Sequence, residues 1–445
     1  LFAIAVPMMC ESILGQVIAT LSTAVLSDYS QSAVAAVGTV GTLTTAVSLI
    51  FTVISTGATV VVSNYIGADD ERGMKESSFS GLLAGAVMGT VAAITLHFFG
   101  DDLLFAMNIT GETHTQAFTY LKIISSVYTV TALSSGISAL MQCHGHARYV
   151  VISSVASSII NVLLNSYVVY VNKLPIFMGV KGIAFASIAS MFIALIIKLV
   201  FFIKLKVRFS IPKAWADLKM YVLKILKIGV PSGISSGSYA FSKVMTTSFI
   251  ALMGEIYLSA NIYLINILRY TYLFSVAIGS ANALLVGRLC GAKRYDHAEK
   301  LNARLVKLTT VINLTISALI IIFRRPLIAM FTADNIEIYE QVVSVALGIM
   351  LVDIIAEQSR AVSQVYEYAL RAAGDVTFTM VLVIISCWVC SVGGAYFFGI
   401  HCGFGLIGCW MSTALDELVR AIVTYFRWRT GKWKTMNIVG RKQEE

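Results

Sequence analysis

The chain of 445 residues is 57% hydrophobic and 13% charged, against about 25% charged residues in soluble domains. With a mean hydropathy of +0.81, its solvent is mostly lipid, which excludes a soluble enzyme or a water-borne binding module. A net charge of +9 would suit a nucleic-acid partner, but its placement argues against one. Lys and Arg gather in 198–227, 288–307 and 427–442, the bias of cytoplasmic loops in membrane proteins.

A helix crosses roughly 30 Å of hydrocarbon with about 20 apolar residues. Backbone groups without water to bond must be satisfied inside such helices. Twelve candidate spans centre near residues 14, 50, 89, 129, 159, 192, 239, 276, 311, 355, 386 and 414. The first opens at Leu1 without an initiator Met, so a short preceding segment is expected, and no secretory signal is visible. It carries Pro7 and, one turn later, Glu11, an acid with no charged neighbour in sequence and so a candidate for protonation. The fifth span sets Asn161 and Asn165 one turn apart, either to bond between helices or to line a polar cavity.

After the sixth span, the basic amphipathic stretch 204–222, with Pro212 and Trp215, reads as a linker lying on the cytoplasmic leaflet. The seventh span follows Pro231 with Tyr239 and an isolated Lys243, which either pairs structurally or meets a carboxylate across a cleft. In the tenth span, positions 353, 357, 360, 364, 367 and 371 fall within an arc of about 80° on a helix. Asp353, Glu357, Arg360 and Gln364 thus form one polar stripe that continues to Glu367 and Arg371. Each central charge would cost about 2.5–3.5 kcal/mol facing lipid, so the stripe faces the bundle interior or a wet cavity. Asp353 and Glu357 are like charges one turn apart and cannot both be ionised cheaply, so the pair suits a proton or an alkali cation. The alternative is an internal Glu357–Arg360 bridge that offsets its own burial. Glu367 and Arg371 are expected at the solvated cytoplasmic interface. In the eleventh span, Cys387 and Cys390 lack a partner pair, so packing is favoured over a metal.

The chain repeats itself. Pro7 returns as Pro231 (231 − 7 = 224), the loop at Gly67 as that at Gly291 (291 − 67 = 224), and Gly179 as Gly405 (405 − 179 = 226). Each unit holds six spans, an even number, so both halves have one orientation and both termini lie in the cytoplasm. Two such lobes would rock about a central cleft with the substrate near the midplane. The expected fold is therefore all-α and polytopic, with twelve transmembrane helices in two pseudo-symmetric six-helix lobes around that cleft. The lobes are 1–203 and 223–428, joined by the linker 204–222 and followed by a basic tail, 429–445.

The repeat also separates chemistry from architecture. Lys243 corresponds to Ala19 and Glu11 to Ser235. By the Gly145 to Gly374 offset (374 − 145 = 229), Asp353, Glu357 and Arg360 correspond to Ile124, Tyr128 and Thr131. None of these charges is shared, so none is required by the fold. Phosphate-binding glycine loops, His-Glu-x-x-His and nucleophile elbows do not occur. No enzyme activity or cofactor is expected, and transport would draw on an ion gradient.

Several stretches together resemble the multidrug and toxic compound extrusion (MATE) transporters. They are the Pro7 helix with Ser32–Gly38, the paired Gly-Ala loops, Gln142–Arg148, Asn161–Asn165, Leu370–Asp375, and Asp416–Arg420 with Gly431–Lys434. The resemblance implies twelve helices in two lobes and export of mostly cationic amphipathic compounds against proton or sodium entry. The family's coupling acids do not carry over: their positions fall on Ser22, Tyr239 and Arg360. Asp353, Glu357 and Glu11 are the candidates that replace them. Tyr239, Lys243, Arg360, Gln364, Asn161 and Asn165 are expected to line the substrate cavity. The expected function is secondary antiport of small organic compounds by a monomer in a bacterial plasma membrane, with H⁺ or Na⁺ as coupling ion. The positive charges at Lys243 and Arg360 keep open an exporter or flippase of an anionic or lipid-linked amphiphile. A membrane-embedded transferase is disfavoured, because the charges lie along a mid-membrane helix rather than at an interface.

Overall fold

A computed structural model describes residues 31–107, 109–170, 179–332, 336–436 and 438–439. Among these, every regular element is helical: α1 (Gln31–Gly67), α2 (Glu71–Ala106), α3 (Gly111–Ser125), α4 (Tyr128–Cys143), α5 (Ala147–Tyr170), α6 (Gly179–Lys204) and α7 (Trp215–Leu252). There follow α8 (Glu255–Gly291), α9 (Tyr295–Ile322), the short α10 (Arg324–Thr332), α11 (Ile336–Ala372), α12 (Val376–Ser386) and α13 (Gly405–Arg429). Two π-helical segments, Cys387–Gly393 and Ala395–His401, extend α12. Each predicted span centre falls within a helix, except the one near residue 14, which lies outside the described residues together with Glu11. The tenth predicted span is α11. Eight described helices are long and apolar enough to cross a membrane. Helices α7 and α13 reach 38 and 25 residues but are not among the eight.

The chain divides into two compact units, one of Leu1–Ile66 with Asp70–Val230, the other of Gly67–Asp69 with Pro231–Glu445. The duplication is visible in the backbone. After α1, Asp69 takes the left-handed conformation (φ 55°) and the Asp70 amide donates to the Tyr65 carbonyl at 3.1 Å. After α8, Lys293 does the same (φ 56°) and the Arg294 amide donates to the Leu289 carbonyl at 2.8 Å. The helix ends at Gly145 (φ 83°) and Gly374 (φ 100°) match in turn, with Asp375 bonding Leu370 as His146 bonds Met141. Glycine is suited to both positions because it reaches positive φ without steric cost.

In the first unit the core gathers Leu104, Leu121, Ile124, Tyr128 and Val40. Helices α3 and α4 meet at a 52° bend. In the second unit Leu264, Ile328, Val342 and Ile349 form one core and Trp428 with Trp433 another, the two indoles stacked at 4.0 Å. Large apolar side chains such as Phe98 and Val244 point outward, as lipid allows. Helix α13 closes tightly on the π-helical stretch: a Cβ at Gly408 would stand 2.5 Å from the Phe398 carbonyl oxygen.

Candidate functional site

The second unit encloses a cavity of about 360 Å³. Tyr239 and Lys243 enter it from α7, Arg269 and Tyr272 from α8, Asp353, Glu357 and Arg360 from α11, and Trp410 and Thr413 from α13. Helical spacing explains the α11 contribution, since residues three and four apart share a face. Pro231 lies inside α7 two turns before Tyr239 and has no amide to donate to the helix ladder.

The polar stripe of α11 is buried. Asp353, Glu357, Arg360 and Glu367 are 3%, 1%, 9% and 2% exposed. Glu367 is thereby a correction: the sequence placed it at a solvated interface, whereas it accepts from Arg371 at 3.1 Å and lies 3.7 Å from Arg420. Arg360 bonds Glu357 one turn back and gives its Nε to Glu417 Oε1 on α13 at 2.9 Å. Glu417 also accepts from Arg420 at 2.7 Å and from the Ser363 hydroxyl at 3.0 Å. Asp416 takes a second Arg420 bond at 2.9 Å and one from Ser386 on α12. Glu357, Arg360, Glu367, Asp416, Glu417 and Arg420 thus each have an opposite partner, as the high cost of an isolated buried charge demands.

Asp353 is the exception. It lines the cavity, no ion pair or hydrogen bond joins it to another described residue, and its Oδ2 is an orphan. Lys243 lines the same cavity but gives its hydrogen bond to Thr413 Oγ1 at 3.2 Å and lies over the Tyr239 ring at 5.3 Å. Arg360 lies over the Tyr272 ring at 5.6 Å. The cavity thus combines aromatic faces, cations and one uncompensated acid.

The structure brings together Asp353, Glu357, Arg360, Lys243 and Tyr239 from the sequence-derived set. Gln364, further along α11, is half-buried and does not line this cavity. Asn161 and Asn165 belong to the other unit, where Asn161 donates to Ser190 Oγ on α6 and accepts from Asn165, both at 3.1 Å. The first bond joins α5 to α6 and the second stays within α5. Sequence reasoning passed over Asp416, Glu417 and Arg420 as site residues. The available signal was three charges at helical i, i+1 and i+4 spacing inside the last span, the same pattern that marked α11.

The sequence model of the MatE family matches residues 7–167 and again residues 231–397. The chain belongs to the MatE family. Its two matches begin 224 residues apart (231 − 7 = 224), the interval already seen in the Asp69 and Lys293 turns. Among similar proteins, the uncharacterized transporter YisQ of Bacillus subtilis is 30% identical over 435 residues, covering 97% of this chain and 94% of YisQ. The probable multidrug resistance protein NorM of Thermotoga maritima is 24% identical, covering 100% of this chain and 94% of NorM. A MATE crystal structure in the bent conformation superposes with a TM-score of 0.87 at 20% identity, covering 97% of this chain and 95% of that one. A MOP superfamily transporter from Pyrococcus furiosus, described as having a binding pocket of reverse polarity, gives 0.87 at 19% identity, covering 97% and 96%. At these identities the likeness to solved structures establishes the fold: the all-helical, polytopic architecture expected from the sequence is that of MATE transporters.

Proposed function

We propose that this MatE-family transporter is a secondary antiporter that exports small amphipathic organic compounds by alternating access. Inward flow of H⁺ or Na⁺ drives it, and Asp353 is the coupling carboxyl. One observation carries the reading: Asp353 is 3% exposed, bonds no described residue and faces a cavity. A buried carboxylate without partners is costly, so it binds a proton or cation whenever one reaches it and gives it up when a competing positive charge enters. The rings of Tyr239, Tyr272 and Trp410 offer an amphipathic cation π-faces beside that carboxyl. Glu357 is held by Arg360, so it serves as the fixed counter-charge rather than the carrier. Relatives named for multidrug resistance support an organic substrate. Clustered Lys and Arg in 198–227 and 427–442 support cytoplasmic termini in a bacterial plasma membrane. The working unit is a monomer of two lobes, 1–203 and 223–428, with the linker 204–222 and tail 429–445, and it uses the coupling ion without a cofactor.

Reconstitution in liposomes with separately imposed pH and sodium gradients tests this. Gradient-driven export should disappear in Asp353→Asn and persist, weakened, in Glu357→Gln; export by Asp353→Asn at the parental rate sinks the assignment.

A second reading has its own support. Lys243, Arg269 and Arg360 outnumber the two acids that line the cavity, and the Pyrococcus furiosus relative is described by reversed pocket polarity. Under this reading the substrate is an anionic or lipid-linked amphiphile. Arg360→Ala should then impair transport of an anionic dye more than that of a matched cationic dye; equal losses refute it.

A further inference from the structure

Helix α9 is fixed in rotation by its inner face. Asn302 accepts from Asn282 on α8 at 2.6 Å, while Asn313 donates to Ser275 Oγ on α8 at 2.8 Å and to the Glu357 carbonyl on α11 at 3.1 Å. Ala298, Leu305 and Thr309 are buried on that side. The opposite side carries Lys300, Arg304, Lys307, Val311, Leu314 and Ile322 within an arc of about 80°. All six are exposed, and Val311, Leu314 and Ile322 reach 62%, 50% and 67%. The helix is long and apolar enough to span a membrane, so these three lie against acyl chains. The cations continue the same line toward the helix start and cover about 10 Å of its axis. With long side chains reaching outward, that suits one headgroup layer.

No hydrogen bond or ion pair joins Lys300, Arg304 or Lys307 to another described residue. The acid nearest in sequence, Glu299, is engaged by Lys434 at 2.7 Å, and Asp296, one turn before Lys300, forms no ion pair with it. The repeat supplies a control. These cations correspond to Glu76, Ser80 and Leu83 on α2 (300 − 76 = 224), so the fold does not require them. The two cations at the start of α2 are both neutralised, Arg72 by Glu76 at 2.8 Å and Asp217 at 3.0 Å, and Lys75 by Glu71 at 2.9 Å. The linker adds an Arg208–Glu71 pair and a bond from the Ser210 amide to the Lys75 carbonyl at 3.2 Å. The basic face of α9 has no such cover among the described residues, and its like charges repel one another.

We propose that Lys300, Arg304 and Lys307 form a docking surface for anionic phospholipid. The lipid phosphates sit on the three cations and the acyl chains run along Val311, Leu314 and Ile322. Charge complementarity alone would also admit a nucleic acid or an acidic protein. Neither matches the apolar continuation of the same face, whereas a phospholipid matches both parts. The inference is independent of the transport cycle and needs only the spanning setting of α9.

Native mass spectrometry of the purified full chain tests it, with titration in detergent by phosphatidylglycerol or by phosphatidylcholine of the same acyl chains. The parent should bind phosphatidylglycerol more tightly. Lys300→Gln, Arg304→Gln and Lys307→Gln should each weaken that binding about fivefold, and the triple change about a hundredfold, with phosphatidylcholine binding unchanged. Arg304→Lys keeps the charge and should keep the affinity. A variant with Lys122→Gln, Lys181→Gln and Arg325→Gln loses the same charge from three separate places and should retain the preference. Equal binding of the two lipids by the parent overturns the surface. So does an equal loss in the dispersed variant, or a triple variant that binds like the parent. Should the triple variant fail to fold, the three single changes decide.

Discussion

The α3–α4 pair of the first unit and α11 of the second occupy corresponding places in a duplicated chain, yet they are built differently. In α3–α4 the helix bends by 52° between Ser125 and Tyr128. The Ser125 and Ser126 hydroxyls turn back to carbonyls at 3.0 and 2.6 Å, the competition with the backbone ladder that loosens helices. Ile124 is buried, and Tyr128 packs its ring 5.9 Å from that of Phe51. Helix α11 runs unbroken for 37 residues and puts Asp353, Glu357 and Arg360 at the equivalent positions. The same scaffold position therefore tolerates either apolar packing with a bend or a charged stripe. The charged stripe has counter-charges from a neighbouring helix, since α13 offers Glu417 to Arg360 and Arg420 to Glu367.

Substitutions at matched positions would break or sharpen this contrast. The largest effect is expected at Asp353: Asp353→Asn should abolish gradient-driven transport in liposomes, whereas Ile124→Val, its counterpart, should leave the rate near that of the parent. Glu417→Ala removes the carboxylate that the buried Arg360 and Arg420 guanidiniums share, leaving Glu357 to the first and Asp416 and Glu367 to the second. It should cost about 3–5 kcal/mol, read as a sharp fall in thermal stability in detergent. The duplicated turns give a finer test. Asp70 caps α2 by accepting from the Gly73 amide at 2.9 Å, whereas Arg294 makes no side-chain cap on α9. Asp70→Ala should lose about 1 kcal/mol and Arg294→Ala no more than about 0.5 kcal/mol, measured as shifts in unfolding midpoint. The smallest effect is expected at Tyr128, whose buried hydroxyl has no partner. Tyr128→Phe should be neutral or stabilising by up to about 1 kcal/mol; a marked loss would mean that the hydroxyl has a function.

How much was legible in the residues can be judged from α11 and α13. The helical face of α11 followed from spacing and the cost of charge in lipid, and it is the face that meets the cavity. Glu367 was misjudged because its distance along the helix said nothing of Arg420, which approaches it from another helix 53 residues on (420 − 367 = 53). Glu417 escaped notice for the same reason: its importance lies in Arg360 and Ser363, neither near it in sequence. Asn161 was left without a named partner, which is Ser190 on the next helix.

Composition, hydropathy and the repeat were enough for the class of molecule, the number and order of its spans and the existence of a buried charged stripe. These depend on local properties: apolar length, helical period and the lipid cost of a charge. Which charge pairs with which, and which one is left over, could come only from the folded chain. Pairing depends on the approach of helices distant in sequence, and a single ångström separates a bonded carboxylate from an orphaned one.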